Sequence, residues 1–276
     1  MTTRHVVVGV DGSLVAVRAL DRAAEEAARR GAVLDIVYAV PDLDVAGPVL
    51  ASAALRMRER HPGLPVTATA AEGSPVQALA RHGRDAALTV VDTRGLGGLA
   101  GLLLGSVSLR LAAHARSPLL VVRGAHRPTG RGEVLLGLES DADADAAAYA
   151  FAEAERRGAG LRILHAWTHR YPPPELPAPL PTRRVPEEAA RYARAEEAVP
   201  RFAVSGLRER YPQVGVETRT VRSGPAHALL EATQEADVVV IGAHRRPNRL
   251  GLQLGPVTHA LLHHSHCPVL VVPTGG

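Results

Sequence analysis

The stretch with the clearest chemical potential is D-T-R-G-L-G-G-L-A-G-L-L-L-G-S-V-S, residues 92–108. It follows the apolar run Ala87-Leu88-Thr89-Val90-Val91, which reads as a buried strand, and leads into Val107-Ser108-Leu109-Arg110-Leu111, which reads as a helix start. Strand, glycine loop and helix in that order aim backbone N–H groups and a helix N-terminus at one point, where an anion can be held. Gly95 and Gly105 let the backbone come close because no Cβ stands in the way. Ser106 and Ser108 add hydroxyl donors.

Other residue types narrow the chemistry. All 32 basic residues are arginine, and the chain has no lysine. This excludes a G-K-[ST] phosphate loop, a Schiff base and a kinase-type strand lysine. There is no Gly-x-Ser-x-Gly elbow and no nucleophile with a paired base, so no catalytic residue is assigned. Cys267 is the one cysteine, which rules out an intrachain disulfide; it reads as a small half-buried residue ahead of a strand. His259 and His263 lie four apart on an expected helix, with His264 and His266 beyond. That spacing suits a shared metal, but no Glu completes an H-E-x-x-H pattern, and a solvated or partly packed face is the favoured reading. Asp141, Asp143 and Asp145 read as acids at a helix start. No metal ligands are assigned.

The elements that must position the glycine stretch come next. A chain of 276 residues with 46% hydrophobic and 22% charged residues has room for one large or two ordinary domains. The net charge of +4 divides into +3 for residues 1–126 and +1 for 127–276, with no basic tail, so no nucleic-acid partner is expected. No apolar run approaches the length of a membrane span, and the N-terminal apolar run before Asp11 is too short for a signal peptide; no membrane association and a cytoplasmic location are expected.

Val6-Val7-Val8-Gly9-Val10 reads as a strand covered on both faces. Ser13 suits the N-cap of an amphipathic helix over 14–30 that places Val17, Leu20, Ala24, Ala27 and Ala28 on one face and stops at Gly31. Strands at 33–40, 66–71, 87–91 and 118–122 alternate with helices at 49–60, 75–83 and from about 107 to 116, a pattern that argues for a parallel α/β sheet. Gly124 to Gly132 reads as a linker, and then the pattern restarts. Val134 to Leu138, Leu161 to Trp167, Val216 to Val221, Val238 to Ile241 and Cys267 to Val272 answer the five strands in turn. The offset grows from 128 to 150 because of a proline-rich insertion around 172–184, expected to be extended or mobile. The helix after it, from about Pro186, is expected to kink or divide at Pro200.

These features resemble the universal stress protein family in its tandem two-domain form. The marks are G-V-D-G-S at 9–13, A-E-G-S-P at 71–75, the glycine loop at 92–108, and the closing strands S-P-L-L-V-V and C-P-V-L-V-V, with the order repeated. The resemblance implies two repeated doubly wound α/β domains, residues 1–126 and 133–276, each a five-stranded parallel sheet of order 3-2-1-4-5 flanked by helices. Ligands of such sheets sit where the winding reverses, beside the ends of strands 1 and 4. The family's ATP-binding members use an Asp after strand 1 near the nucleoside, backbone at the end of strand 2 for adenine, and a glycine loop for the phosphates. Carried over, this implicates Asp11, Val40, Gly95, Gly105, Ser106, Val107 and Ser108. Asp92 stands where the family's loop has its first glycine. A carboxylate there repels phosphate unless Arg94 or a metal offsets it, or it faces the ribose hydroxyls instead.

The second repeat departs further: Glu139 and Ser140-Asp141 replace Asp-Gly-Ser, Trp167 replaces Val40, Arg245 replaces the middle glycine, and Gly255-Pro256 replaces Gly-Ser. It is expected not to bind ATP in the family's manner. The resemblance therefore implies a non-catalytic, nucleotide-dependent stress-response protein with ATP, with or without Mg²⁺, in the first repeat, and a protein partner not identified by the sequence. The alternatives are a slow ATPase or phosphotransferase and a ligand-free scaffold. The apolar edge strands at 118–122 and 268–272 need a cover. The two repeats are expected to pair along them as an internal pseudo-dimer, with a homodimer also possible.

Overall fold

The computed structural model describes residues 4–93, 106–123, 132–168, 184–243, 245–248 and 251–274. The first half runs β1 (His5–Val10), α1 (Leu14–Arg30), β2 (Val33–Val40), α2 (Gly47–Arg60), β3 (Val66–Glu72), α3 (Pro75–His82), β4 (Leu88–Asp92), α4 (Ser106–His114) and β5 (Leu119–Val122). The second runs β6 (Glu133–Gly137), α5 (Ala144–Arg157), β7 (Gly160–Trp167), α6 (Arg184–Ala203), α7 (Ser205–Arg210), β8 (Val216–Arg222), α8 (Pro225–Ala232), β9 (Val238–Ala243), β10 (Arg245–Asn248), β11 (Gly251–Leu254), α9 (Pro256–His264) and β12 (Val269–Pro273). The proline-rich stretch expected at 172–184 lies almost wholly outside the described residues, as does the linker expected at 124–132, apart from Gly132.

One sheet carries both halves, in the order β3-β2-β1-β4-β5-β12-β9-β6-β7-β8. Each half has the doubly wound order 3-2-1-4-5, and its own pairings are parallel. The two halves join where β5 meets β12 in antiparallel register, Val121 opposite Val269, Leu120 opposite Leu270 and Leu119 opposite Val271. These strands are apolar and buried because each covers the other's edge and helices cover both faces. Two apolar layers run through the junction. One holds Leu120, Leu270, Phe151 and the small residues of α1 and α5; the other holds Leu119, Val121, Val269, Leu111 and Leu261.

Local rules account for the elements. The Ser13 hydroxyl accepts from the Ala16 N–H at 3.1 Å and caps α1, and Gly31 ends it at φ 57°. The buried stripe of α1 is Ala16, Ala19, Leu20, Ala23, Ala24 and Ala27, whereas Ala28 is exposed. In so alanine-rich a helix the side chains give little contrast, so the sequence placed that face about one residue out of phase. Gly9 lets α3 lie close on β1, since a Cβ there would meet Leu79 Cδ1 at 2.8 Å. α6 continues through Pro200 to Ala203 and breaks at Val204 instead of at the proline. The antiparallel hairpin β10–β11, Arg245 opposite Leu254, was not anticipated; it lies where the first half has its glycine loop, and β11 packs beside α4.

A buried charge cluster closes the junction. The motif E-x-x-R-R-G occurs at Glu26–Gly31 in α1 and again at Glu153–Gly158 in α5. Both glutamates are 0% exposed. Arg30 Nη2 reaches Glu153 at 2.7 Å, and Arg157 Nη2 reaches Glu26 at 2.6 Å, so each half neutralises the other's carboxylate. Within each helix, Glu26 also pairs with Arg29 at 2.7 Å and with Arg30, and Glu153 with Arg156 at 2.8 Å. Burial by itself would raise Glu26, but Arg157, Arg30, Arg22 and Arg29 together outweigh it and hold its carboxyl down at about 2. Glu153 is lowered in the same way: burial opposes, and Arg157 and Arg30 prevail.

Cys267 is fully rather than half buried, and burial pushes its thiol up to about 12 despite a hydrogen bond with Ser265. A thiol–disulfide exchange reagent at pH 8 is therefore expected to leave the native protein unmodified and to take up one equivalent only in denaturant. Rapid native-state labelling would contradict this packing.

Candidate functional site

Parallel order places the carboxyl ends of β1, β2 and β4 side by side. Val8 lies opposite Val90 on one side, and Val10 opposite Tyr38 on the other. The winding reverses between β1 and β4, so the residues just past these strands share one crevice. Asp11, Val40 and Asp92 all stand there, and α4 starts beside them at Ser106. Gly95, Gly105 and Arg94 lie outside the described residues.

Asp11 follows β1 directly. Its Oδ1 accepts from the Ser13 N–H at 3.0 Å, an Asx-type turn that orients the carboxylate. Gly12 turns the chain at φ 79°, a left-handed conformation, and a Cβ there would stand 3.3 Å from Val49 Cγ2. Val40 is buried, and its carbonyl accepts from the Gly73 N–H at 3.0 Å, which leaves one lone pair.

Asp92 ends β4 with its side chain only 3% exposed. Thr93 Oγ1 donates to its Oδ1 at 3.2 Å. Arg18 Nε, from the second turn of α1, stands 3.6 Å from its Oδ2. This arginine was missed from sequence. The available signal was its place one helical turn beyond the Asp-Gly-Ser corner, on the side of α1 that looks over β4.

The three α4 residues take different positions. Ser106 is exposed and Val107 half buried at the helix start. Ser108 is buried, and its hydroxyl donates to the Asp92 carbonyl at 2.7 Å. The expected phosphate-donating role of Ser108 is therefore replaced by a tether between α4 and the end of β4, since a hydroxyl has a single proton to give.

The corresponding corner of the second half is filled by its own side chains. The Asp143 carboxylate accepts from the N–H groups of Glu139 at 2.7 Å and Ser140 at 3.4 Å, and is itself buried. Ser140 Oγ accepts from the Ala142 N–H at 3.3 Å, completing a capping box over the turn at 141–143. His165 Nδ1 lies 2.9 Å from the Leu138 carbonyl and Nε2 lies 2.8 Å from Glu196 Oε2, which ties α6 across β7. Arg222 stacks 5.7 Å from the centre of the Trp167 ring. The backbone N–H groups of Glu139 and Ser140 are thus paired with a carboxylate of the chain itself.

Comparison with known proteins agrees with this architecture. The model of the universal stress protein family matches residues 2–59, 48–123 and 131–273. A universal stress protein of Mycolicibacterium smegmatis is 33% identical over 295 residues, spanning 98% of this chain and 97% of the relative. One from Mycobacterium tuberculosis is 33% identical over 308 residues, spanning 98% and 95%. Among solved structures, a protein of Pseudomonas aeruginosa described as functionally unknown superposes with TM-score 0.69 at 20% identity over 99% of this chain and 93% of its own. A universal stress protein of Archaeoglobus fulgidus gives 0.64 at 15% identity over all of both chains. These two likenesses speak to the fold alone. No helix among the described residues is long and apolar enough to cross a membrane.

Proposed function

This chain belongs to the universal stress protein family, and from that premise we propose that its first half binds ATP and that the protein acts as a non-catalytic, nucleotide-dependent sensor or regulator. The observation that carries the reading is the difference between the two crevices. In the second, Asp143 takes the backbone N–H groups of Glu139 and Ser140. In the first, the Asp11 carboxylate accepts instead from the N–H of Ser13, at the start of the helix that follows.

In this arrangement Asp11 meets the ribose, and the remaining lone pair of the Val40 carbonyl receives the adenine amino group. Gly95, Gly105, Ser106 and Val107 surround the phosphates, where a helix N-terminus favours negative charge. Arg18 offsets Asp92, the role for which Arg94 or Mg²⁺ was considered from sequence. A ligand shifts such a protein only as far as its affinities for two states differ. The signal then passes through α4, whose start meets the phosphates and whose flank meets β11 of the second half.

The test is to denature purified protein and quantify released nucleotide by chromatography. One ATP per chain is expected. None, together with no heat in a calorimetric ATP titration, would reject the first-half site. Two per chain would reject the assignment of the second half as closed.

A further inference from the structure

A group of histidines on α9 is used by neither crevice. His259 and His263 are four residues apart on one face of this helix, and their ring centroids lie 4.4 Å apart. His264 follows, its ring 5.9 Å from that of His263. His259 is exposed, and His263 is partly buried. The Nε2 atom of His263 is shielded from solvent and has no hydrogen-bond partner among the described residues. A shielded ring nitrogen without a partner costs about 1–3 kcal/mol unless something accepts or shares its lone pair.

We propose that His259 and His263 bind a borderline divalent transition ion of the Zn²⁺, Ni²⁺ or Cu²⁺ class, with water completing the coordination. Imidazoles at i and i+4 on a helix are a suitable pair for such ions, whereas Mg²⁺ prefers oxygen donors. The pair stands in the second half of α9, towards the end of the helix dipole that favours a cation. Arg123 does not occupy the site, since its Nη1 donates to the Leu262 carbonyl at 2.9 Å. Among the described residues no set of three or more His, Cys, Asp or Glu side chains is arranged around a metal, so the pair supplies two ligands and no more. The feature belongs to the second half: at the offset of 150, the α4 positions corresponding to His259 and His263 are Leu109 and Ala113.

The experiment is calorimetric titration of the full chain with Zn²⁺ and Ni²⁺, together with the electron paramagnetic resonance spectrum of the Cu²⁺-loaded protein. One ion per chain is expected, with two nitrogen nuclei coupled to Cu²⁺ and no binding of Mg²⁺. His259→Ala and His263→Ala should each weaken binding at least tenfold, and His259→Ala should leave one coupled nitrogen. His227→Ala, on α8 with a ring 72% exposed, should change nothing. Thermal melts of the variants establish that they are folded. Absence of saturable binding, or binding that survives both α9 substitutions, or binding lost in His227→Ala, overturns the proposal.

Discussion

Replacing Glu26 by glutamine is expected to remove about 3–5 kcal/mol of folding stability, the range for breaking a buried ion pair by deleting one partner. The large effect arises because Glu26 meets Arg157 of the other half, at 2.6 Å, as well as Arg29 and Arg30 of its own helix, all around a carboxylate with no exposure. Glutamine keeps the volume but leaves several guanidinium groups facing a neutral amide in a dry junction. Chemical denaturation of the two proteins checks this, and a loss below about 1 kcal/mol would show that the cluster relaxes or admits water. The pH dependence gives an independent reading. The folded carboxyl sits at about 2, below its ordinary 4.5. A depressed folded pKa means that the contribution is complete above about pH 4.5 and is lost as pH falls from there towards 2. Glu153, also lowered, acts in the same direction. Wild-type stability should therefore fall steeply through that window, and Glu26→Gln should show a shallower limb.

Asp92→Asn is expected to tighten ATP binding by tenfold or more, and Arg18→Ala to weaken it by a similar factor. Asp92 is a largely buried carboxylate at the end of the strand that feeds the glycine loop, and the Arg18 guanidinium stands 3.6 Å from it. Two unit charges about 6 Å apart exchange roughly 3 kcal/mol at an effective dielectric constant of about 20, and every 1.4 kcal/mol is a factor of about ten in affinity. Removing Arg18 both withdraws a cation from the crevice and exposes the phosphate to Asp92. The two effects are therefore coupled. In the Asp92→Asn background, Arg18→Ala should cost markedly less, which a double-mutant cycle of ATP titrations measures. Equal costs in both backgrounds would mean that Arg18 does not act through Asp92.

Features that depend on neighbours in the chain are legible from the order of residues. Val6 to Val10 and Val238 to Ile241 are apolar enough to demand cover on both faces, and Ser13 and Gly31 carry the capping chemistry of α1. The repeat of these signals at a near-constant offset disclosed two copies of one topology, and that topology placed Asp11 and Asp92 in one crevice. The apolar edges at 118–122 and 268–272 already implied a shared ladder. Tertiary structure alone decided the contacts made by residues far apart in sequence or by loops that changed shape. E-x-x-R-R-G is legible twice, but that Arg30 serves Glu153 and Arg157 serves Glu26 follows from α1 crossing α5 at the junction. Arg18 reads as one more solvated arginine until α1 is laid over β4. Ser108 reads as a donor to a ligand until burial turns its proton to the Asp92 carbonyl. Asp143 reads as a helix-start acid, and it is one, but only the folded corner shows that it takes the N–H groups of Glu139 and Ser140. Charged and polar groups choose partners by distance and desolvation, and both are properties of the packed molecule rather than of the order of residues.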